Sequence, residues 1–550
     1  MFMYINFQIH IVKKLFKEKF VIMKRTRIIS ACLLSVFCCN FMSTIVSAET
    51  GIEADKMNDS VLFEMGNEEF IPTSQEAIEE HLINIDDVYS TNGMSKAAVN
   101  LPDVVDLSTS KYFPPIGNQG SAGSCASFSM VYYQFTYEAN KINGISSNTN
   151  SAIYSPQWPY YLAMGFVEDL YNHLADRGAL HLTDDPYVAG TGGSYSPPSN
   201  ESKLFAAMKT RLSKWNSYKL NGSGTPITSN KDSDLQAIKT LLNSGKVLRA
   251  ETHNSFYSKN SSFGSVYYRA NLSTAVGHSF VIVGYNDNVT CDVNGDGIIE
   301  AGEKGAFKIA NSYGTTHGNS GYNWILYDAL NKVSNISGNW EKGITYERCP
   351  AFSFHSNDNV FFDMQVSNKP LNLVAKISLE NTQQQNLDIS LGKAALNSTT
   401  YSMYHTSQFE NIGKSTKLNM VMFFDYDALG VGFPNDLSKK WRVLFEEYNS
   451  NYVKVKNVAL VDSRGDVVKN MTSSQSGTTL RYDTTTNLAL GDINYSGTVN
   501  SADLTMLQNA IASDTTGTFS TLRKYLADVN GDGVINSKDT TRLMKMISGG

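Results

Sequence analysis

The sequence predicts a multidomain protein in which an α+β domain is followed by an all-β sandwich and a small all-α module. Three observations predict this. From Leu101 to about residue 355, helical apolar patterns come first and strand-like runs later. From 356 to 485, runs such as "NLVAKISLE", "KLNMVMFFDY" and "YVKVKNVALV" alternate apolar and polar at period two between Asn/Ser/Gly turns. In the last residues, "DINYSGTVNSAD" (492–503) recurs as "DVNGDGVINSKD" (528–539), and each copy opens a helical apolar pattern. A chain of 550 residues agrees with three or four domains at roughly 150 residues each.

Residues 1–48 read as an N-terminal extension and a signal peptide. Lys24, Arg25 and Arg27 precede an apolar stretch from Ile28 to Phe41, and Val46-Ser47-Ala48 offers small residues for cleavage. That stretch is too short for a membrane span. Residues 1–22 read as an extension from an early start codon. Secretion to the extracellular space is the expectation, with the mature chain associated with a scaffold or cell surface. The whole chain has a formal charge of -6. Residues 1–48 carry seven Lys/Arg and one Glu, so the mature chain is near -12, which is -6 minus +6. Such a balance excludes nucleic acid and anionic membrane as natural partners. Cys32, Cys38 and Cys39 leave with the signal; Cys125, Cys291 and Cys349 remain, which is no disulfide framework. Pairing of Cys291 with Cys349 stays open and would leave Cys125 free.

Residues 49–100 are acidic without strong periodicity and read as a pro-segment or linker. In the next domain, residues 101–355, "QGSAGSCASF" (119–128) places Cys125 before Phe128, Val131, Tyr132, Phe135 and Ala139 at helical spacing. Ser124 is the expected N-cap. A cysteine at a helix N-terminus gains thiolate character from the helix dipole. A thiolate nucleophile also needs an imidazole and a group to orient it. Of nine histidines, His173 and His181 read as surface residues, while His253 and His278 fall on strands. His278 opens the buried run "SFVIVGY", and Asn311 ends the next apolar run at a Gly-rich loop, where its amide oxygen can accept from an imidazole. Glu251 or His253, in "RAETHNSF", reaches toward a specificity pocket.

This constellation resembles the papain-like cysteine proteases over about Leu101–Ser353. "LPDVVDL" (101–107) looks like the family's mature N-terminus, "YSPQ" (154–157) like a structural motif, "GHSFVIVGY" and "NSYGTTHGNSGY" like the His and Asn segments. The resemblance implies a catalytic set of Gln119, Cys125, His278 and Asn311, with Gln119 donating to the oxyanion. It implies substrate contact along Gly192, Gly193 and Ser194 in "GTGGSY" (190–195). It implies no cofactor for catalysis. The chain departs from the family at Ala126, where Trp is usual, at Ala122, where Cys is usual, and at Tyr313 and His317, where Trp is usual. Two other classes compete: another thiol hydrolase such as a cell-wall amidase or transglutaminase-like enzyme, and a non-catalytic protein-binding or inhibitor-receiving module.

The loops carry calcium chemistry. Oxygens at positions 1, 3, 5, 7, 9 and 12, with Gly at 6, make an all-oxygen cage. In the first repeat these are Asp492, Asn494, Ser496, Thr498, Asn500 and Asp503. In the second they are Asp528, Asn530, Asp532, Val534, Asn536 and Asp539. A third loop, "DVNGDGIIEAGE", offers Asp292, Asn294, Asp296, Ile298, Glu300 and Glu303. The expectation is two calcium ions in the C-terminal pair and one at 292–303. Residues 486–550 resemble a type I dockerin module. The resemblance implies docking to a cohesin domain of a scaffold protein, as in cellulosomes, read through Ser501, Ala502, Ser537 and Lys538. A polypeptide is the implied substrate.

Overall fold

The computed structural model describes residues 70, 72–88, 100–163, 166–189, 195, 198–220, 222–223, 229–230, 232–331, 336, 359–382, 387–406, 418–447, 454–476 and 479–549. The expected signal and extension, residues 1–48, lie outside these, as do Gly192, Gly193, Ser194 and Cys349. No helix among the described residues is long and apolar enough to cross a membrane.

The first layer is helical. A single α-turn at Cys125–Ser127 continues as a π-helix, Phe128–Phe135, and then as an α-helix, Thr136–Asn143. All eight residues of the π segment are buried. Such wide helical turns occur frequently at functional sites. The helix ends at Gly144, which adopts φ 69° and needs no Cβ there. Ser124 does not cap this helix with its side chain, contrary to the sequence expectation: its hydroxyl lies 2.7 Å from the Tyr187 hydroxyl instead.

The second layer is a mixed sheet. Its strands run in the order Leu82–Ile83, Thr210–Lys219, Val360–Asn368, Leu248–Ser261, Gly264–Thr290, Lys304–Ala310 and Tyr322–Leu326, with Val104–Asp106 beside Gly264–Thr290. One correction to the domain boundaries follows. Val360–Asn368 was expected in the β domain, yet it pairs with Thr210–Lys219 along its whole length. Its alternating Phe362 and Met364 face the peptide-sheet core, and Asp363 accepts from Asn216, Tyr218 and Lys246. Period two alone does not say which sheet a strand joins. The acidic lead also contains ordered structure. Gln75–Glu80 is a helix capped by Ser74, and Leu82–Ile83 pairs parallel with Ser217 and Tyr218. Ile85 and Val88 are buried against Tyr218 and Ile238.

Beyond Leu371 two antiparallel sheets share one core. One holds Leu418–Asp425, Leu373–Thr382, Val455–Asp462 and Val467–Asn470; the other holds Ser402–His405, Leu387–Ala394, Lys440–Glu447, Thr479–Thr485 and Thr472–Ser476. Trp441, Val443, Ile377, Phe424 and Leu460 fill the space between them. The same apolar cluster reaches back to Trp158, Leu204 and Phe205 and forward to Leu522 and Leu526. A buried ion pair, Arg211–Asp425 at 2.6 Å, crosses the first of these joints. At the second, the Tyr495 hydroxyl donates to Asp462 at 2.6 Å, and Arg523 pairs with Asp466. The C-terminal helices Ser501–Ala512, Thr521–Ala527 and Ser537–Ser548 pack on Ile493, Leu507, Val529 and Leu543.

Candidate active site

Cys125 opens the buried helix, and His278 lies in the strand that faces it. The Ser129 hydroxyl, on the nucleophile helix, lies 2.7 Å from the Ser279 hydroxyl, which ties that helix to the residue beside His278. His278 Nε2 lies 3.0 Å from Asn311 Oδ1. The Tyr313 ring stacks on the imidazole at 5.1 Å, and its hydroxyl sits 3.2 Å from Nδ1. The family resemblance marked Tyr313 as standing where Trp is usual; the hydroxyl contact on the second ring nitrogen was not foreseen. A tyrosine standing in a tryptophan's place carries the signal, since it alone adds an O–H at the ring's far end.

Gln119 is buried on the loop ahead of the helix. Its backbone N–H donates to Ser312 O at 2.7 Å, its Nε2 donates to Ala122 O at 2.7 Å, and its Oε1 accepts from the Ser312 hydroxyl. The loop that carries Asn311 therefore also carries Gln119. A Tyr133 hydroxyl donating to Asn311 O at 2.6 Å links that loop to the nucleophile helix.

Cys125, His278 and Asn311 are each 0% exposed. Burial pushes the Cys125 thiol up to about 12 and the His278 imidazole down to about 4. This corrects the expectation of a lowered thiol pKa. Complete desolvation outweighs the helix dipole. The cover is the lead segment. A Cβ on Gly277 would meet Phe70 at 2.6 Å, and Phe70 shares an apolar cluster with Cys125 and Ala126. Thr73 follows into a buried polar group: its N–H and hydroxyl donate to Glu251 at 3.2 and 2.7 Å. Ser74 N–H donates to Glu168 at 2.9 Å. Of the two residues considered for a pocket, Glu251 is buried there; the His253 side chain lies outside the described residues. His173, expected at the surface, is 1% exposed beneath Trp158, because the β sheets cover its helix.

The three acidic loops share one hydrogen-bond pattern. The first Asp accepts from the position-six Gly N–H in each: Gly297 to Asp292 at 3.0 Å, Gly497 to Asp492 at 2.9 Å, Gly533 to Asp528 at 2.9 Å. The last acid accepts from N–H groups at positions three and nine: Asn294 and Glu300 to Glu303, Asn494 and Asn500 to Asp503, Asn530 and Asn536 to Asp539. Burial raises the Asp492 carboxyl, and the facing Asp503 raises it further, so this loop lacks positive charge. A hard divalent cation fits that donor set. Among the described residues no three His, Cys, Asp or Glu side chains converge as a metal group, so Asn, Ser and carbonyl oxygens would complete each cage. Ser501, Ala502, Ser537 and Lys538 are all exposed at the starts of their helices.

Comparison with known proteins agrees with this layout. Residues 101–339 match the model of the papain family cysteine proteases, and residues 490–548 match that of the type I dockerin domain. No curated protein matches the chain. Among solved structures, xylellain, a cysteine protease from Xylella fastidiosa, is 18% identical with a TM-score of 0.34, covering 56% of this chain and 99% of its own. Digestive procathepsin L2 from the larval midgut of Tenebrio molitor is 20% identical with a TM-score of 0.33, covering 54% and 76%. The ragweed pollen allergen Amb a 11, in its proform, is 18% identical with a TM-score of 0.30, covering 49% and 66%. Residues 101–339 are thus a papain-family cysteine protease domain, and residues 490–548 a type I dockerin domain.

Proposed function

We propose that this is a secreted cysteine endopeptidase acting through Cys125, His278 and Asn311, and held by its dockerin on a cohesin-bearing scaffold of the cellulosome type. The His278–Asn311 hydrogen bond, on a strand tied to the Cys125 helix through Ser279 and Ser129, carries the reading. Once the lead segment leaves the cleft, water restores the charged forms, and the Cys125 proton passes to His278. The thiolate attacks a peptide carbonyl, and the Cys125 N–H and the Gln119 amide hold the oxyanion. Gln119 must then exchange its bond to Ala122 for the substrate. His278 gives its proton to the leaving amine as the C–N bond breaks, which leaves a thioester. Water, deprotonated by His278, cleaves the thioester and returns the thiol. Asn311 keeps Nε2 occupied, and Nδ1 serves the chemistry once it exchanges the Tyr313 hydroxyl, 3.2 Å away, for Cys125. The substrate strand runs along Gly192, Gly193 and Ser194 in an extended form.

Type I dockerin domains typically bind calcium, and the residues named above at 492–503 and 528–539 would hold two ions. Asp292 to Glu303 would hold a third in the peptidase. Calcium would cross-link each loop to the helix or strand after it; it takes no part in catalysis. The cohesin contact runs through Ser501, Ala502, Ser537 and Lys538. Polypeptide hydrolysis that persists in a folded Cys125→Ala protein would refute the mechanism.

A further inference from the structure

The group that grips Thr73 is built like a recognition pocket. Glu251 lies opposite Ser279 in the strand pairing, and Thr252 lies opposite His278. Paired residues on neighbouring strands sit about 5 Å apart, so this pocket is one residue step from the imidazole. Its floor is a buried ion pair, Arg249 with Glu251, in which Arg249 is 0% and Glu251 3% exposed. Arg249 is fixed further by the Tyr171 hydroxyl at 2.9 Å and by the Phe362 ring at 4.2 Å. Its Nη1 reaches the Ser279 hydroxyl at 3.5 Å, and that hydroxyl lies 2.7 Å from the Ser129 hydroxyl on the nucleophile helix.

Thr73 uses both halves of the pair. Its hydroxyl donates to Glu251 Oε1 at 2.7 Å and accepts from Arg249 Nη2 at 3.2 Å. Its backbone N–H also donates to Glu251. A hydroxyl is the small side chain that can donate and accept at once. A basic side chain finds the Glu251 carboxylate already neutralised by Arg249. An acidic one meets the Glu251 charge. An apolar one leaves a buried cation and carboxylate short of partners, which is the costly outcome.

We propose that Arg249 and Glu251 form a specificity pocket for a serine or threonine side chain of the polypeptide substrate, and that Thr73 occupies this pocket as an internal stand-in. The proposal rests on the peptidase reading for its substrate and on the Thr73 contacts for its chemistry. Phe70 over Gly277 and Thr73 in the pocket lie across the same cleft. Release of the hydroxyl from Arg249 and Glu251 is therefore the step that uncovers Cys125.

The test uses the full-length protein and two readouts. The first is carbamidomethylation of Cys125 by iodoacetamide, followed by mass on the Cys125 peptide. Thr73→Val and Thr73→Glu raise its rate at least about tenfold, while Thr73→Ser stays within about twofold. The second applies a positional peptide library to the Thr73→Glu protein and reads both cleavage and protection of Cys125 from iodoacetamide. One position shows Ser and Thr favoured over the isosteric Val by at least about tenfold. The double variant Arg249→Met with Glu251→Leu reverses that order in favour of Val and Leu. The pocket is overturned if no position prefers a hydroxyl, if the preference survives the double variant, or if Thr73→Val and Thr73→Glu label like wild type. Hydroxyl-selective protection without cleavage sustains the pocket and overturns the peptidase reading; cleavage without selectivity does the reverse.

Discussion

Asp425→Ala should loosen the joint between the peptidase sheet and the β domain, because it strands a buried cation. The Arg211 and Asp425 side chains are 5% and 2% exposed, and Arg211 Nε already lacks a partner. Removing one member of a buried pair costs about 3–5 kcal/mol. The Asp425 carboxylate also accepts from Asp427 N–H at 3.1 Å at the start of a short helix, which adds about 1 kcal/mol. The expected loss is about 4–6 kcal/mol. Burial raises the Asp425 carboxyl even with Arg211 beside it, so the pair barely covers its own desolvation. Arg211→Met with Asp425→Leu should therefore recover all but about 1 kcal/mol, the lost cap. Calorimetric unfolding of the single and double variants completes the cycle. A single variant within about 1 kcal/mol of wild type, or a double variant as unstable as the single, would refute the reasoning.

Other outcomes are expected from other parts of the chain. The His278 value falls from 6.5 to about 4 on burial, so its contribution is whole above 6.5 and is lost as pH falls from there to about 4. That interval is worth about 3 kcal/mol, and a melting-temperature profile should be flatter below pH 6.5 in His278→Gln. Tyr495→Phe removes the hydroxyl that bonds Asp462 and Ser520, leaving a buried carboxylate short by about 1–3 kcal/mol. Hydrogen exchange should quicken at 490–495 and 521–527, with the two terminal helices unchanged. Chelation of calcium should abolish cohesin capture on a scaffold column, and Asp503→Ala with Asp539→Ala should reproduce it. Gly284→Ala would set a Cβ 2.0 Å from the Val105 carbonyl oxygen, and urea unfolding should show a loss of about 2 kcal/mol or more.

Where the fold was legible, the information was local. The loop repeats fix each helix start through their own side chains, as Asn500 and Asn536 show by capping the helices that follow. Cys125, His278 and Asn311 could be singled out because each sits at a pattern break beside small residues. What escaped was set by distant partners. Thr73 meets Glu251 across 178 positions, with no periodicity to announce it. Val360–Asn368 has the same alternation as the β-domain strands, and only its neighbours Thr210–Lys219 and Leu248–Ser261 assign it to the peptidase. The thiol's protonation state likewise turned on burial by distant segments, Phe70 among them, more than on the helix that Cys125 begins.

The apolar cluster that runs from Trp158 through Trp441 to Leu526 leaves no swivel between the cleft and the dockerin. Force applied at the last helices is handed to the catalytic layer through packed side chains and two buried polar bolts. The enzyme thus has a bearing as well as an address. Where its dockerin is gripped, the direction in which its cleft looks is decided too. Any sweep needed to meet a long polypeptide must come from whatever holds the dockerin, or from the polypeptide.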